Sequence, residues 1–366
     1  MLMRIQDIIH EIELFAPLSY QEDYDNCGLI IGDAQSPCKG VVLSLDCTEE
    51  VIDEAISKNC NLIISHHPIV FSGLKKINGN NFVERVIIKA IQHQICLYAC
   101  HTNIDNVLGG VNSKIASKLN LKNVSILSPK KDHLKKLVTY VPKSHHDLLL
   151  NALFDAGAGH IGNYSHCSFS LDGKGTFKGN DASKPFIGKA NELSIEDEVR
   201  IETIYPQYLE NKVLSTLLQH HPYEEVAYDL YSLSNKNNWV GSGVKGDLEI
   251  ETAEIDFLEF LKKTFHLKFL KYSAFTGKKI KSVSLCGGSG KFLIHEAINN
   301  KSDVYITSDL KYHDYFEAEN KILLVDIGHF ESEQFTPEIF YDIIINKFPT
   351  FAVHLSKVNT NPVNYF

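Results

Sequence analysis

Two adjacent histidines directly follow a short apolar run: Leu62-Ile-Ile-Ser65 leads into His66-His67-Pro68. Three further apolar runs end in a comparable way. Residues 95–100 lead into His101-Thr-Asn-Ile-Asp105, residues 303–307 into Ser308-Asp309-Leu-Lys-Tyr-His313, and residues 322–326 into Ile327-Gly-His329-Phe-Glu-Ser-Glu333. Neutral imidazoles and carboxylates, with no thiolate among them, suit a catalytic metal site better than a structural one. His329 and Glu333 are four apart, so one helical turn presents both on one face, and His101 and Asp105 share that spacing. A carboxylate such as Glu333 can bridge two cations. With His66 and His67 pointing to either side, a pair of ions about 3.5–4 Å apart fits His66, His67, Asp105, His329 and Glu333. The plain alternative is a set of polar residues crowding a solvated sheet edge.

Seventeen histidines are present, so other pairs need weighing. His145-His146 opens an expected helix and His220-His221 closes one, where histidine favours the negative dipole end; both read as structural. The loop Cys286-Gly-Gly-Ser-Gly-Lys291 follows an expected strand and enters an expected helix. Its backbone N–H groups, with Gly288 and Ser289 foremost, either cradle a phosphate or make a tight turn. It does not fit the P-loop pattern, because Leu285 stands where the first glycine is required.

The elements that must position these residues follow from periodicity. Residues 40–46, 61–65 and 95–100 read as buried strands, alternating with helices over 48–58, 81–93 and 111–119, the first capped by Thr48. Strands over 281–286, 303–307 and 322–326 and a helix over 332–348 repeat that grammar. The fold class is therefore α/β, with a mainly parallel sheet whose strand ends share one edge. Residues between these halves read as strand 134–142, helix 144–157 capped by Ser144, an alternating stretch near 167–171 with a turn at Asp172-Gly173, strand 199–205, helix 207–219 and strand 226–233. That order is the split pattern of a ferredoxin-like unit. Residues 1–129 and 246–366 then form one discontinuous metal-binding domain and 130–245 an inserted one, with Gly241–Gly246 as the return linker.

Composition sets outer bounds. The 366 residues carry a net charge of −9 with 44% hydrophobic residues, which argues for a sizeable core and against a general attraction to nucleic acid or anionic membrane. The eight cysteines include no CxxC pair and read as reduced, mostly buried thiols. The first fifteen residues read as a surface helix rather than a signal peptide, and no apolar run reaches the length of a membrane span, so a soluble cytoplasmic protein is expected.

The segments Asp25-Asn-Cys-Gly-Leu-Ile-Ile-Gly32, Ser65-His-His-Pro68, His101–Asp105, Thr307–His313 and Gly328–Glu333, taken together, resemble the NIF-three-like family, also called GTP cyclohydrolase I type 2 homologues. The likeness spans residues 1–128 and 246–366, in order. The segment between, with His221-Pro-Tyr-Glu-Glu225 near its end, looks like the PII- or CutA-like insert of longer members. The resemblance implies a dinuclear divalent-metal site on His66, His67, Asp105, His329 and Glu333, with His101 as a further ligand or proton carrier. It also implies a toroidal homohexamer.

The leading expectation is a hydrolase using two divalent ions (Zn, Fe or Mn) on a small-molecule substrate, a nucleotide or related heterocycle. In the GTP cyclohydrolase version, hydroxide attacks the imidazole carbon of guanine, opening the ring and releasing formate. His101 and His313 are the proton-transfer candidates, since histidine titrates near neutrality. Lys311 or the glycine loop would hold phosphate. The alternative is a metal-binding regulatory or scaffold protein whose inserted domain senses a small molecule or partner.

Overall fold

The computed structural model describes residues 3–365 and resolves the chain into two compact units. One joins Met1–Ser128 to Trp239–Phe366; the other is Pro129–Asn238.

The first unit holds two sheets. The five-stranded sheet uses β1 (Gly28–Ile31), β2 (Val41–Ser44), β3 (Leu62–Ser65), β4 (Cys96–Ala99) and β15 (Val353–Leu355), in the order β1-β4-β3-β2-β15. Every neighbouring pair is parallel except β1 with β4. The six-stranded sheet uses β5 (Lys122–Lys130), β10 (Asn237–Ala253), β11 (Lys271–Tyr272), β12 (Lys279–Ser289), β13 (Val304–Ser308) and β14 (Leu323–Asp326), in the order β11-β14-β13-β12-β10-β5. Its centre, β12-β13-β14, is parallel, while β10 and β11 pair antiparallel.

Alternation along these strands builds the cores. Val41, Leu43, Leu62 and Ile64 of the first sheet join Val283, Leu285, Val304 and Ile306 of the second in one buried cluster. Helices Ile5–Phe15, Glu254–Phe265 and Thr336–Lys347 complete it. Val42, Ile63 and Leu97 point the other way, onto helices Glu49–Ser57 and Phe82–Gln92. Strands covered on both faces need apolar residues at every position, which is why β2, β3 and β4 read as unbroken apolar runs. Thr48 and Asn81 accept the backbone N–H groups of Val51 and Glu84 and so start those two helices.

The second unit is one antiparallel sheet of β6 (Leu134–Pro142), β7 (Ser168–Phe177), β8 (Ser194–Pro206) and β9 (Tyr228–Leu233), ordered β7-β8-β6-β9. Helices His146–Asp155 and Glu210–His220 cover one face, where Leu137, Val141, Val199 and Ile201 meet Leu149, Leu153, Val213 and Leu217. Tyr140, Glu198 and Arg200, one position out of step with that set, face the other side.

Several expectations change. The unit expected to bind metal has two sheets, so its strand ends do not share the edge of one. A local sequence marks a strand but not the sheet it joins. Gly241–Gly246 is no linker: it lies inside β10, with Val240 and Val244 buried and Val244 paired to Leu285. Gly243 there has φ +63°, and a Cβ would sit 2.8 Å from the Leu285 carbonyl oxygen. Asp172-Gly173 continues β7 instead of turning. Ser144 caps nothing, since its hydroxyl meets the His145 ring. The helix expected over 332–348 is two, His329–Glu333 and Thr336–Lys347, with Pro337 starting the second.

Candidate metal centre

The site is assembled from strand ends of both sheets of the first unit. After β3, the backbone N–H groups of His66 and His67 both donate to the Leu45 carbonyl, and the Ser65 hydroxyl donates to the His67 carbonyl. This pins the pair before Pro68 carries the chain away. After β4, His101 caps a single turn, Thr102–Asp105. After β14, Gly328, at φ +91°, swings the chain into the short helix His329–Glu333. That helix places His329 Nε2 3.1 Å from Glu333 Oε2, as the i, i+4 spacing requires.

Each of the four imidazoles is held through Nδ1. His66 Nδ1 lies 2.9 Å from the Cys100 carbonyl oxygen, His67 Nδ1 2.7 Å from Asp46, His101 Nδ1 2.8 Å from Asp25, and His329 Nδ1 2.7 Å from Asp309. Acceptors at Nδ1 put the proton there and leave the Nε2 lone pair facing inward, the tautomer a metal ligand needs. Asp25 is itself fixed by the backbone N–H and the hydroxyl of Thr102. Asp46 accepts from the Thr360 hydroxyl at 2.6 Å.

The inward atoms converge. His66, His67 and His101 offer ligand atoms within 4.8 Å of one another, as do His67, His329 and Glu333. Glu333 faces both groups. Its Oε1 is 3.7 Å from His66 Nε2, and its Oε2 lies 3.0 Å from His67 Nε2. Asp105 Oδ1 is also 3.7 Å from His66 Nε2. Both His66 Nε2 and Asp105 Oδ1 are buried without a hydrogen-bond partner, a costly arrangement unless something else satisfies them. His67 Nε2 and His329 Nε2 face each other at 3.4 Å. Orphaned lone pairs, paired nitrogens and buried carboxylates make this donor set fit divalent cations.

Without a cation, protons take its place. Burial works against charge on His67 and His329, yet hydrogen bonds donated to Asp46 and Glu333 lift His67 to about 9, and those donated to Asp309 and Glu333 lift His329 to about 11. Burial, then the nearby Glu333 charge, pushes Asp105 up. Burial also pushes on Glu333, but the surrounding imidazoles hold it well below the usual carboxylate range.

Other expected residues are placed elsewhere. His313 is exposed on the 3-10 segment Tyr312–Ala318, with its ring against Tyr312 and Phe316, and Lys311 is exposed beside it. The glycine loop does not offer its N–H groups to a phosphate. Gly287 donates to the Asn112 side chain, Gly288 to the Ser332 hydroxyl and Gly290 to the Thr307 hydroxyl. Ser289 is the last residue of β12, paired with Ser308. Gly288 matters differently: at φ +62°, a Cβ there would lie 2.3 Å from Glu333 Oε1. The orienting roles of Asp25, Asp46 and Asp309 escape a search for ligand types. The available signal was an acidic residue just before β1 or just after β2 and β13.

A cleft of about 540 Å³ opens beside His67 and His329. Phe269 and Tyr365 meet edge to face on its wall, ring centres 4.2 Å apart. Glu331 accepts from both Asn361 and Tyr365 at 3.2 Å, tying residues 361 and 365 to the helix His329–Glu333. Among the described residues, no helix is long and apolar enough to cross a membrane.

Comparison with known proteins agrees over the whole length. The family model described as Duf34/NIF3 (NGG1p interacting factor 3) matches residues 3–362. A Bacillus subtilis (strain 168) protein named GTP cyclohydrolase 1 type 2 homolog is 40% identical over 369 residues, covering 98% of each chain. The crystal structure of a Bacillus cereus protein related to NIF3 has 37% identity and a TM-score of 0.87 over 100% of both chains. Staphylococcus aureus protein SA1388 has 30% identity and a TM-score of 0.80, covering 100% of this chain and 99% of that one. With its motifs and its whole length accounted for, the chain belongs to the Duf34/NIF3 family.

Proposed function

We propose that this protein is a hydrolase dependent on two divalent metal ions, acting on a nucleotide or related heterocycle. The observation that carries this reading is Glu333, a buried carboxylate whose two oxygens face different imidazole groups. His66, His67, Asp105, His329 and Glu333 would hold the ions, with His101 adjacent. The ions, when bound, supply positive charge and a water whose pKa is lowered toward neutrality. The chain's own residues do the rest. Asp25 fixes the His101 ring so that its Nε2 can pass a proton at the cluster. Asp46 and Asp309 keep His67 and His329 in the ligating tautomer. The Phe269–Tyr365 pair offers a planar substrate an aromatic wall beside the metal ligands. The relatives' shared name, GTP cyclohydrolase 1 type 2 homolog, points to guanine nucleotides as the first substrates to try. We also read the inserted unit as ferredoxin-like, on its βαββαβ order and β7-β8-β6-β9 sheet, and the assembly as a cytoplasmic homohexamer, as the family resemblance implies.

The test is metal content per chain in protein purified with added Zn, Mn or Fe, followed by formate release from GTP. About two ions in the wild type, fewer in Glu333→Ala, and metal-dependent formate release would support the reading. Two ions with no turnover of any nucleotide would favour a metal-binding regulatory protein instead. That second reading has its own support in the cavity of the inserted unit.

A further inference from the structure

A cavity of about 570 Å³ lies wholly within the inserted unit. The sheet face that bears it is opened by glycine. Gly173 and Gly175 sit in the interior of β7, where glycine weakens a strand and commonly marks close approach of a ligand. A Cβ at Gly173 would meet nothing within 4 Å, whereas one at Gly175 would strike Glu198 Oε2 at 2.0 Å. The bare backbone therefore makes room both for the cavity and for the Glu198 carboxylate.

Glu198 is 9% exposed, and the Tyr223 hydroxyl donates to its Oε1 at 2.8 Å. A carboxylate has about four lone-pair sites, so a buried one with a single bond of this kind retains acceptor capacity. Two residues along the same strand and on the same face, Arg200 Nε is buried with no hydrogen-bond partner, while its Nη2 pairs with Glu202 Oε1 at 2.8 Å. Both Glu198 and Arg200 line the cavity. Around them stand aromatic rings: Phe177 and Phe186 lie 5.9 and 6.4 Å from Tyr223, centre to centre.

We infer that this cavity binds a guanine-type heterocycle. Two adjacent N–H donors of the lactam–amidine edge fit the Glu198 carboxylate, the neighbouring carbonyl oxygen fits the part-exposed Arg200 guanidinium, and the ring faces pack on Tyr223, Phe177 and Phe186. An adenine edge, with one amino donor beside a ring acceptor, leaves the carboxylate facing a lone pair. The inference extends the regulatory reading above and is independent of the metal chemistry, since all its residues belong to the inserted unit.

The test is calorimetric titration of the full chain with guanosine, with adenosine as the control. Saturable guanosine binding is expected, at least tenfold tighter than adenosine. It should persist in Glu333→Ala and weaken at least tenfold in Glu198→Gln, whose metal content should stay at the wild-type level. Phe186→Ala removes an exposed ring without touching the core and should weaken binding too, which keeps the test valid if Glu198→Gln misfolds. No guanosine binding, equal binding of adenosine, or binding lost in Glu333→Ala but kept in both inserted-unit variants would overturn the inference.

Discussion

The histidine–carboxylate cluster and the cavity of the inserted unit are built on opposite plans. In the cluster, polar side chains are buried at strand ends, and each imidazole is fixed by a partner supplied from another segment. In the cavity, a sheet face is left bare by glycines and walled by aromatics that strands and loops contribute singly. The first arrangement tolerates little error, because each buried lone pair must meet a cation or a proton. The second relies on shape, with Glu198 and Arg200 among several charged residues of its lining. Substitutions in the two places should therefore fail differently.

The largest effect is expected from Glu333→Ala. It removes the carboxylate facing both imidazole groups, so metal per chain, measured by elemental analysis, should fall from about two ions to less than one. Retention of the full complement would break the proposed role of Glu333 and make it an ordinary buried acid. Next are Asp46→Asn and Asp309→Asn, which keep shape but no longer fix the His67 or His329 tautomer. Partners of this kind typically contribute about 10–100-fold in metal affinity. Competition with a chromophoric chelator would measure that loss, and an unchanged affinity would show that the rings are oriented by packing alone. Neither substitution should alter guanosine binding.

Legibility in the sequence follows the same division. His66-His67, His101, Asp105, His329 and Glu333 could be found because each follows an apolar run closely, and the i, i+4 spacing of His329 and Glu333 survives as one helical turn. The carboxylates that aim the rings sit up to 76 residues away from them, as Asp25 does from His101, and only folding brings them together. His313 follows a strand end just as His329 does, but its helix turns it outward. The division of the strands between two sheets was not legible either, because an apolar run does not name its neighbours. The inserted cavity left almost no local mark: Asp172-Gly173 resembled a turn, and Arg200 and Glu198 resembled ordinary strand residues.

A third prediction uses pH to separate the regions. The pKa values of His67 and His329 in the metal-free fold, about 9 and 11, lie above the ordinary 6.5. Their charged forms therefore stabilise the fold fully below pH 6.5, and that contribution fades as pH rises through 9. Melting temperature of chelator-treated protein should fall between pH 6.5 and 9.5. Metal affinity should rise over the same range, since binding expels these protons, by about tenfold per pH unit for each proton released. Guanosine binding should change far less across it. A metal affinity independent of pH would mean that the free site does not hold its protons.

The smallest effects come from two glycines that each protect a carboxylate. In Gly288→Ala the new methyl meets Glu333 Oε1 and the residue must also hold φ +62°, so both strain and a small displacement of Glu333 are expected, with metal affinity reduced but both ions still bound when metal is in excess. In Gly175→Ala no φ constraint applies, and the methyl meets the Glu198 carboxylate, Oε2 most closely. Overpacking of this sort costs about 1–3 kcal/mol, here charged to the inserted unit. Metal content should remain at the wild-type value while guanosine affinity drops, because the carboxylate can relieve the contact only by moving. If Gly175→Ala binds guanosine normally, Glu198 has room to shift without consequence, and its position is not what shapes the cavity.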